Sequence, residues 1–484
     1  MKSHMHCLAA GLTLAFAATA WAVDERTSNQ AEQTALAVTI YNSDLALVKD
    51  SRRVKLVNGE NLLAWRDVSA RIQPETGLLT SLDGKPLTLL EQNFDFDLLT
   101  PQKLLEKYVG QVVRVIKTLP MTGTESVEAA TVLAANGGVV LKYIVDGRVE
   151  TGLAPNARIA YGVVPPNLRD RPTLTMDFVT DQAGERDLEL SYLSGGLSWK
   201  ADYVAELSGD DKTLDLNGWV TLTNQSGSAY NNARLQLVAG DVNRVRPEMK
   251  RMVMARAAPA MAEAAADMSE ESLFEYHLYT LGRPTSIQDQ QTKQVALLSA
   301  QKVPVAKEYQ LRGAEYYYSG QYGDLGRKLK AGVFMEFDNK ADGRGSGLGL
   351  PLPKGVVRVY KKDSAGRAQF IGEDRIDHTA KGERLRLKLG DAFDISADKK
   401  QTDFQKIAAF GRGGGVIETA YQIEIRNAKK EDVVVKVIEP MPGDWQMVAE
   451  SLPHRKDTAQ TAAWDVPVPA EGKSVLTWRA RIRY

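Results

Sequence analysis

A chain of 484 residues can bury about two or three hydrophobic cores. Its 61 Lys and Arg balance 61 Asp and Glu, so there is no cationic surplus to hold phosphates, and nucleic acid is not an expected partner. The single cysteine, Cys7, lies in the first segment; downstream of it, disulfides, thiolate nucleophiles and cysteine metal ligands are excluded.

That first segment reads as a cleavable signal peptide over residues 1–22. Met1-Lys2-Ser3 is basic, an apolar run follows from Cys7 to Ala20, and Ala20-Trp21-Ala22 places small residues where a signal peptidase reads. The apolar run is shorter than the ~20 residues that span a bilayer, which disfavours an uncleaved anchor. Cys7 sits at the wrong end of the run for a lipoprotein. The mature chain is expected to begin near Val23, without its only thiol and without a later apolar stretch long enough for a transmembrane helix.

From Val38 the pattern is β-like. Val38-Thr39-Ile40-Tyr41, Leu45-Ala46-Leu47-Val48 and Val54-Lys55-Leu56 read as strands, and Asn58-Gly59 reads as a hairpin turn into Leu62-Leu63-Ala64-Trp65. One short helix is predicted at Thr100–Gly110, with threonine as N-cap, Pro101 in the first turn and glycine at the end. Short strands then recur at Val112–Val115, Ala130–Leu133, Val139–Leu141 and Tyr143–Val145, separated by Asn136-Gly137-Gly138 and Asp146-Gly147. They predict a small inserted barrel near 108–155.

Alternation is cleaner from Leu188. Leu188, Leu190 and Tyr192 share one strand face, and Ala201, Tyr203, Ala205 and Leu207 share the next. With no helical period between strands, an antiparallel sandwich is predicted. Residues 249–272 shift to Ala and Met (Met252, Met254, Met261, Met268), and Pro259 with the small residues predicts a mobile loop; an amphipathic helix gripping a partner is the alternative. Strands resume at Phe274–Tyr279 and run to Leu476-Thr477-Trp478.

The block Leu190-Ser191-Tyr192-Leu193-Ser194-Gly195-Gly196-Leu197-Ser198-Trp199-Lys200-Ala201-Asp202-Tyr203 resembles a bacterial exported family described as domain of unknown function 4139. So do Gly218-Trp219-Val220-Thr221-Leu222-Thr223-Asn224, Ala233–Val242, Thr292-Lys293-Gln294-Val295, Tyr360–Gly366 and the opening Ile40–Val48. That family is distantly similar to mucoidy inhibitors, although no long coiled-coil pattern occurs here. The resemblance implies a β-rich envelope protein and carries no catalytic residue with it.

Chemistry is sparse. His277, His378 and His454 are far apart and lack metal-ligand spacing, so no metal site is expected. Asp95 and Asp97 fall on one side of a strand and could act together on a glycoside or a cation; an acidic wet face opposite Phe94 and Phe96 is the alternative. No serine lies in G-x-S-x-G. The tracts Gly343–Gly349 and Gly411–Gly415 lack the P-loop Lys-Ser/Thr and read as mobile connections. Tyr316, Tyr317, Tyr318 and Tyr322, in a Gly-bounded loop, are the candidate binding residues, suited to stacking on sugars or anchoring a protein; a packed loop tip is the alternative. Leu476, Trp478, Ala480, Ile482 and Tyr484 alternate with polar residues, which fits either a half-buried sandwich strand or the last strand of an outer-membrane barrel.

The sequence therefore predicts a mainly β protein of antiparallel sandwich domains with a small inserted barrel and few short helices, divided at 1–22, 23–180 and 181–484. The expected role is that of a non-enzymatic binding or structural protein, with an envelope protein or glycan as partner and without cofactor or catalytic residues. The expected address is the periplasm, with outer-membrane association or secretion as alternatives. A periplasmic carbohydrate-active enzyme and an outer-membrane barrel are the rival readings.

Overall fold

The computed structural model describes residues 24–165, 168–240, 243, 268–341, 348–410 and 414–484. The signal segment 1–22, the Ala/Met stretch up to residue 267, and the glycine tracts 343–347 and 411–413 lie outside the described residues. The fold is mainly β, and Pro101–Lys107 is the one α-helix among the described residues. The chain forms two compact units: 1–37 with 47–195 and 226–228, and 38–46 with 196–225 and 229–484.

In the first unit, a four-stranded sheet has the order Arg26–Ser28, Gly59–Arg66, Thr173–Thr180, Thr88–Asp95. Leu63, Trp65, Leu174, Met176 and Phe178 are buried. The Asn58-Gly59 turn is not a hairpin. Gly59 takes the expected positive φ (+96°), but Leu45–Leu56 pairs beside Gly184–Ser194, whereas Gly59–Arg66 pairs with Arg26–Ser28 and Thr173–Thr180. The turn is a corner between sheets. Near it Arg52 is fully buried, its guanidinium donating to Asp50 (2.7 and 3.0 Å) and to the carbonyls of Ser28 (2.9 Å) and Arg66 (2.7 Å). Trp65 lies under it at 4.6 Å and donates to the same Asp50 carboxylate (2.9 Å). A charge this deep persists because every guanidinium nitrogen has an acceptor.

The predicted barrel is an open sheet. Its order is Val149–Thr151, Val140–Tyr143, Glu125–Ala134, Val112–Thr118, Ala157–Ala160, and the two end strands do not pair. The barrel is unnecessary because the helix helps cover the apolar side: Leu104, Leu105 and Tyr108 pack on Val113, Val115, Ala130, Val132 and Leu141. Thr100 caps that helix as expected, its hydroxyl accepting from the Lys103 amide (3.1 Å), and Gly110 follows at φ +85°.

In the second unit, a five-stranded sheet has the order Gln291–Pro304, Thr213–Asn224, Leu197–Leu207, Gly355–Lys362, Ala368–Ile376. Its Leu197–Leu207 and Gly355–Lys362 strands are parallel, an exception to the antiparallel expectation. Met268–Leu273, expected at the end of the loop, is a strand paired with Tyr276–Leu281, and Phe274 sits at the turn between them. The pairing of Met268 with Leu281 uses backbone groups that side-chain composition does not reveal.

The largest sheet has nine strands, in the order Asp444–Glu450, Lys473–Arg483, Gly414–Asn427, Arg384–Phe410, Asp324–Asp338, Ala306–Arg312, Val433–Pro440, Thr461–Val468, Arg455–Thr458. Trp478 on its second strand and Trp464 on its eighth have ring centroids 5.1 Å apart. The sheet therefore folds over and buries one inner face against itself, as in a sandwich. Leu476, Trp478, Ala480 and Ile482 all point into that core, so the alternation of the last strand belongs to a half-buried sandwich strand. The edge strand Arg455–Thr458 is short and polar, which discourages pairing with another chain.

Candidate binding site

The candidate tyrosines lie just after the strand Ala306–Arg312: Tyr316, Tyr317 and Tyr318 on the 3-10 turn Glu315–Tyr318, and Tyr322 four residues beyond it. This turn divides them. Tyr317 and Tyr318 point into the nine-stranded core and are buried, whereas Tyr316 (57 % exposed) and Tyr322 (37 %) face solvent. The two outer rings meet edge to face at 5.9 Å, and Tyr316 meets Tyr317 at 4.6 Å. The four residues are thus two anchors and two presented rings.

The presented rings rest on a pinned base. Gln401 accepts from the Tyr322 amide (2.5 Å) and donates to the Gly320 carbonyl and the Thr419 hydroxyl (3.0 Å each). The Tyr421 hydroxyl donates to the Tyr317 carbonyl (2.7 Å), and that of Tyr484 donates to the Tyr318 carbonyl. Such a turn presents its outer rings with little ordering entropy left to lose on binding.

Beneath it lies a buried ion pair. Lys399 Nζ is 2.6 Å from Glu439 Oε1, both side chains are 2 % exposed, and the Tyr318 hydroxyl donates to Glu439 Oε2 (3.0 Å). The ammonium is also 4.3 Å from the Tyr317 ring and 5.2 Å from that of Trp478. Burial pushes the Lys399 pKa down, against the opposing pull of Glu439. Burial also pushes the Tyr317 and Tyr421 hydroxyls up to about 12. Gly313 makes room for the carboxylate: a Cβ there would stand 2.3 Å from it. At 2 % exposure the pair cannot meet a solute directly, so it supports the turn from below.

On the outward face of the strands whose inward residues hold the turn is an open cleft of about 220 Å³, lined by Asp324, Arg327, Asp398, Lys400, Glu424 and Arg426 among others. Arg426 bridges Asp398 (2.9 Å) and Glu424 (2.7 Å), and Arg327 pairs with Asp324. The backbone amide of Lys328 (2.7 Å) and the Arg426 guanidinium hold the Asp398 pKa below the ordinary carboxylate range, and Arg426 with Lys473 does the same for Glu424. Tyr322 lies two residues before Asp324, so their Cα atoms are at most ~7 Å apart. Lys400 lines the cleft and its strand neighbour Gln401 pins the turn, so the two side chains point to opposite faces of the sheet.

The other candidates separate. Asp95 is bound to Arg169 (2.9 Å), and Asp97 to Lys107 (3.0 Å) and Lys103 (3.7 Å). Lys107 holds the Asp97 pKa down, opposite to the shift that a general acid needs. Each carboxylate is thus tied into its own ion pair. His277 pairs with Glu270 and His454 with Glu450, and no metal-ligating cluster occurs among the described residues.

The motif blocks do converge, on Asp202. It accepts from Arg358 (3.0 Å) and from Thr221 (3.1 Å), Thr221 in turn accepts from Gln294 (3.2 Å), and Lys200 lies 3.3 Å away. Burial works to raise the Asp202 pKa, and Arg358 and Lys200 outweigh it, so the carboxylate stays ionised below its usual range. With its charge matched from several sides, Asp202 ties the strands of the five-stranded sheet together.

Sequence reasoning missed Lys399, Gln401 and Glu439. Their signal was a charged or polar residue where an inward apolar series continues: Ile395, Ala397, Lys399, Gln401 on one strand and Val433, Val435, Val437, Glu439 on another.

Comparison with curated proteins gives no match. A family model described as a domain of unknown function matches residues 188–484, more than half of the chain, and spans the Asp202 network, the aromatic turn and the cleft. The chain belongs to the domain of unknown function 4139 family.

Proposed function

We propose that this protein is exported to the cell envelope and works there as a binding protein, taking its partner on the Tyr316 and Tyr322 face. The observation that carries this reading is the pairing of two exposed aromatic rings with a turn held by Gln401, Tyr421 and Tyr484. Exposed tyrosines on a preordered base offer contact area at small entropic cost. The export half rests on residues 1–22, whose basic start, apolar run and Ala20-Trp21-Ala22 end fit a periplasmic address after cleavage.

Two measurements test it. The N-terminus of the protein released by osmotic shock is expected at Val23; retention of residues 1–22, or release only with detergent, refutes the periplasmic address. A photo-reactive residue at 316 or 322 is expected to capture one defined envelope component in cells, and the same probe at Phe393, which is 87 % exposed, is not. Equal, diffuse labelling at all three positions refutes the binding face.

A further inference from the structure

We propose that a cavity between two sheets of the second unit binds an alkyl carboxylate, a short apolar chain ending in one anionic group. Its lining includes none of the candidate tyrosines, so this is a second site. The walls are largely apolar: Leu207 and Ile371 come from the five-stranded sheet, and Val333, Phe334, Met335 and Leu389 from the nine-stranded sheet. Asp211, Lys307, Lys361 and Asp391 line the same cavity. Lys307 Nζ lies 2.6 Å from Asp211 Oδ2, and Lys361 Nζ pairs with Oδ1. A tight turn sets the Asp211 carboxylate in place. Asp211 takes a left-handed φ of +60°, and its amide donates to the Ser208 carbonyl (3.2 Å). The Val305 amide donates to the Lys212 carbonyl (2.9 Å), which ties this turn to the segment leading into Lys307.

Charge and size narrow the ligand. One carboxylate holds two ammonium groups, one on each oxygen, so the set carries a single surplus positive charge. Burial works to raise the Asp211 pKa, and Lys307 and Lys361 outweigh it, so the carboxylate stays ionised. Asp391 does not cancel the surplus, because Lys388 stands 3.5 Å from it. Each ammonium has three N–H donors, and those not given to Asp211 are available to a further acceptor. Both lysine side chains are 31 % exposed, so that acceptor can reach them. A monoanion matches the surplus. A cation would meet like charge, a neutral chain would leave the donors to water, and a dianion would exceed the charge on offer. At about 240 Å³ the cavity is larger than the ~150 Å³ that encloses benzene and smaller than the roughly 300–1,000 Å³ of drug-sized pockets, which suits a short chain.

The test titrates octanoate into the full mature chain by calorimetry, with octan-1-ol, octylammonium and octyl phosphate as comparisons. One saturable octanoate site is expected, about tenfold or more tighter than octanol, because only the carboxylate makes charge-assisted bonds to both lysines. Lys361→Gln should weaken octanoate about tenfold, with a smaller effect on octanol. Ile371→Trp, which fills the cavity, should abolish binding of both. Octanoate should also raise the thermal unfolding midpoint of the unsubstituted chain, and the rise should vanish in Ile371→Trp while that variant still unfolds cooperatively, which excludes misfolding as the cause. Absence of a saturable octanoate site overturns the inference. So does equal binding of octylammonium, tighter binding of octyl phosphate, or an octanoate affinity that neither substitution changes.

Discussion

Lys399 and Glu439 show how one residue pair supports a surface it never reaches. Each continues an inward apolar series, and each would be a costly isolated charge without the other. Removing one partner strands the second. Glu439→Ala is therefore expected to destabilise the fold by about 3–5 kcal/mol, whereas replacing both by apolar residues of similar size (Lys399→Met with Glu439→Leu) should recover most of that loss. Urea unfolding of the three proteins measures this; a double variant no more stable than the single one refutes the account. The pair was legible as two exceptions to strand alternation, at Lys399 and at Glu439. Their meeting was not, because they lie on the fourth and seventh strands of the sheet, and a period of two assigns a face without naming the residue opposite. The same limit applies to the four tyrosines. Their cluster was visible in sequence, but only the 3-10 turn and the loop that follows it decide that Tyr317 and Tyr318 point inward and Tyr316 and Tyr322 outward.

At the scale of elements, alternation and capping carried most of the information. The helix at Thr100 and the faces of Leu188–Tyr192 and Ala201–Leu207 follow from side-chain period and end chemistry, which act locally. Partner choice is not local. Asn58-Gly59 supplies the backbone angle of a tight turn wherever one is needed, and here the chain uses it to leave one sheet for another. The last strand illustrates both sides of this. Its alternation is open to both a sandwich and a membrane-barrel reading, and the contact of Trp478 with Trp464 places it in a packed core. Because Ala480 is fully buried in that core and Arg481 faces out to pair with Glu418 (2.9 Å), their substitutions should differ sharply. Ala480→Arg is expected to cost several kcal/mol by burying an unpaired charge. Arg481→Ala should change stability by no more than about 1 kcal/mol, the usual worth of an exposed pair. Comparable unfolding midpoints for the two variants would contradict the packing of this strand.

At the scale of the whole molecule, the family match and the compact units do not share boundaries. The match begins at residue 188, whereas the second unit draws in 38–46 from far upstream. That short segment is part of the fold's interior: Val38, Ile40, Leu45 and Ala46 are at most 3 % exposed. It is also bonded at specific points, with Thr39 donating to Gln236 (3.3 Å) and Asp44 accepting from the Gly196 amide (2.7 Å). Four buried apolar side chains are worth several kcal/mol together, at about 1.5–3 kcal/mol for each Val, Ile or Leu, a large share of the stability of an ordinary domain. A fragment comprising residues 188–484 alone would leave their docking surface open to water. It is expected to show strand-rich circular dichroism with broadened amide resonances, a shallow unfolding transition and binding of a hydrophobic dye. Co-expression with residues 24–187, which include the missing segment, should restore a sharp transition. A fragment as stable and cooperative alone as in the full chain would show that the segment 38–46 is dispensable, and that the family boundary is also the folding boundary.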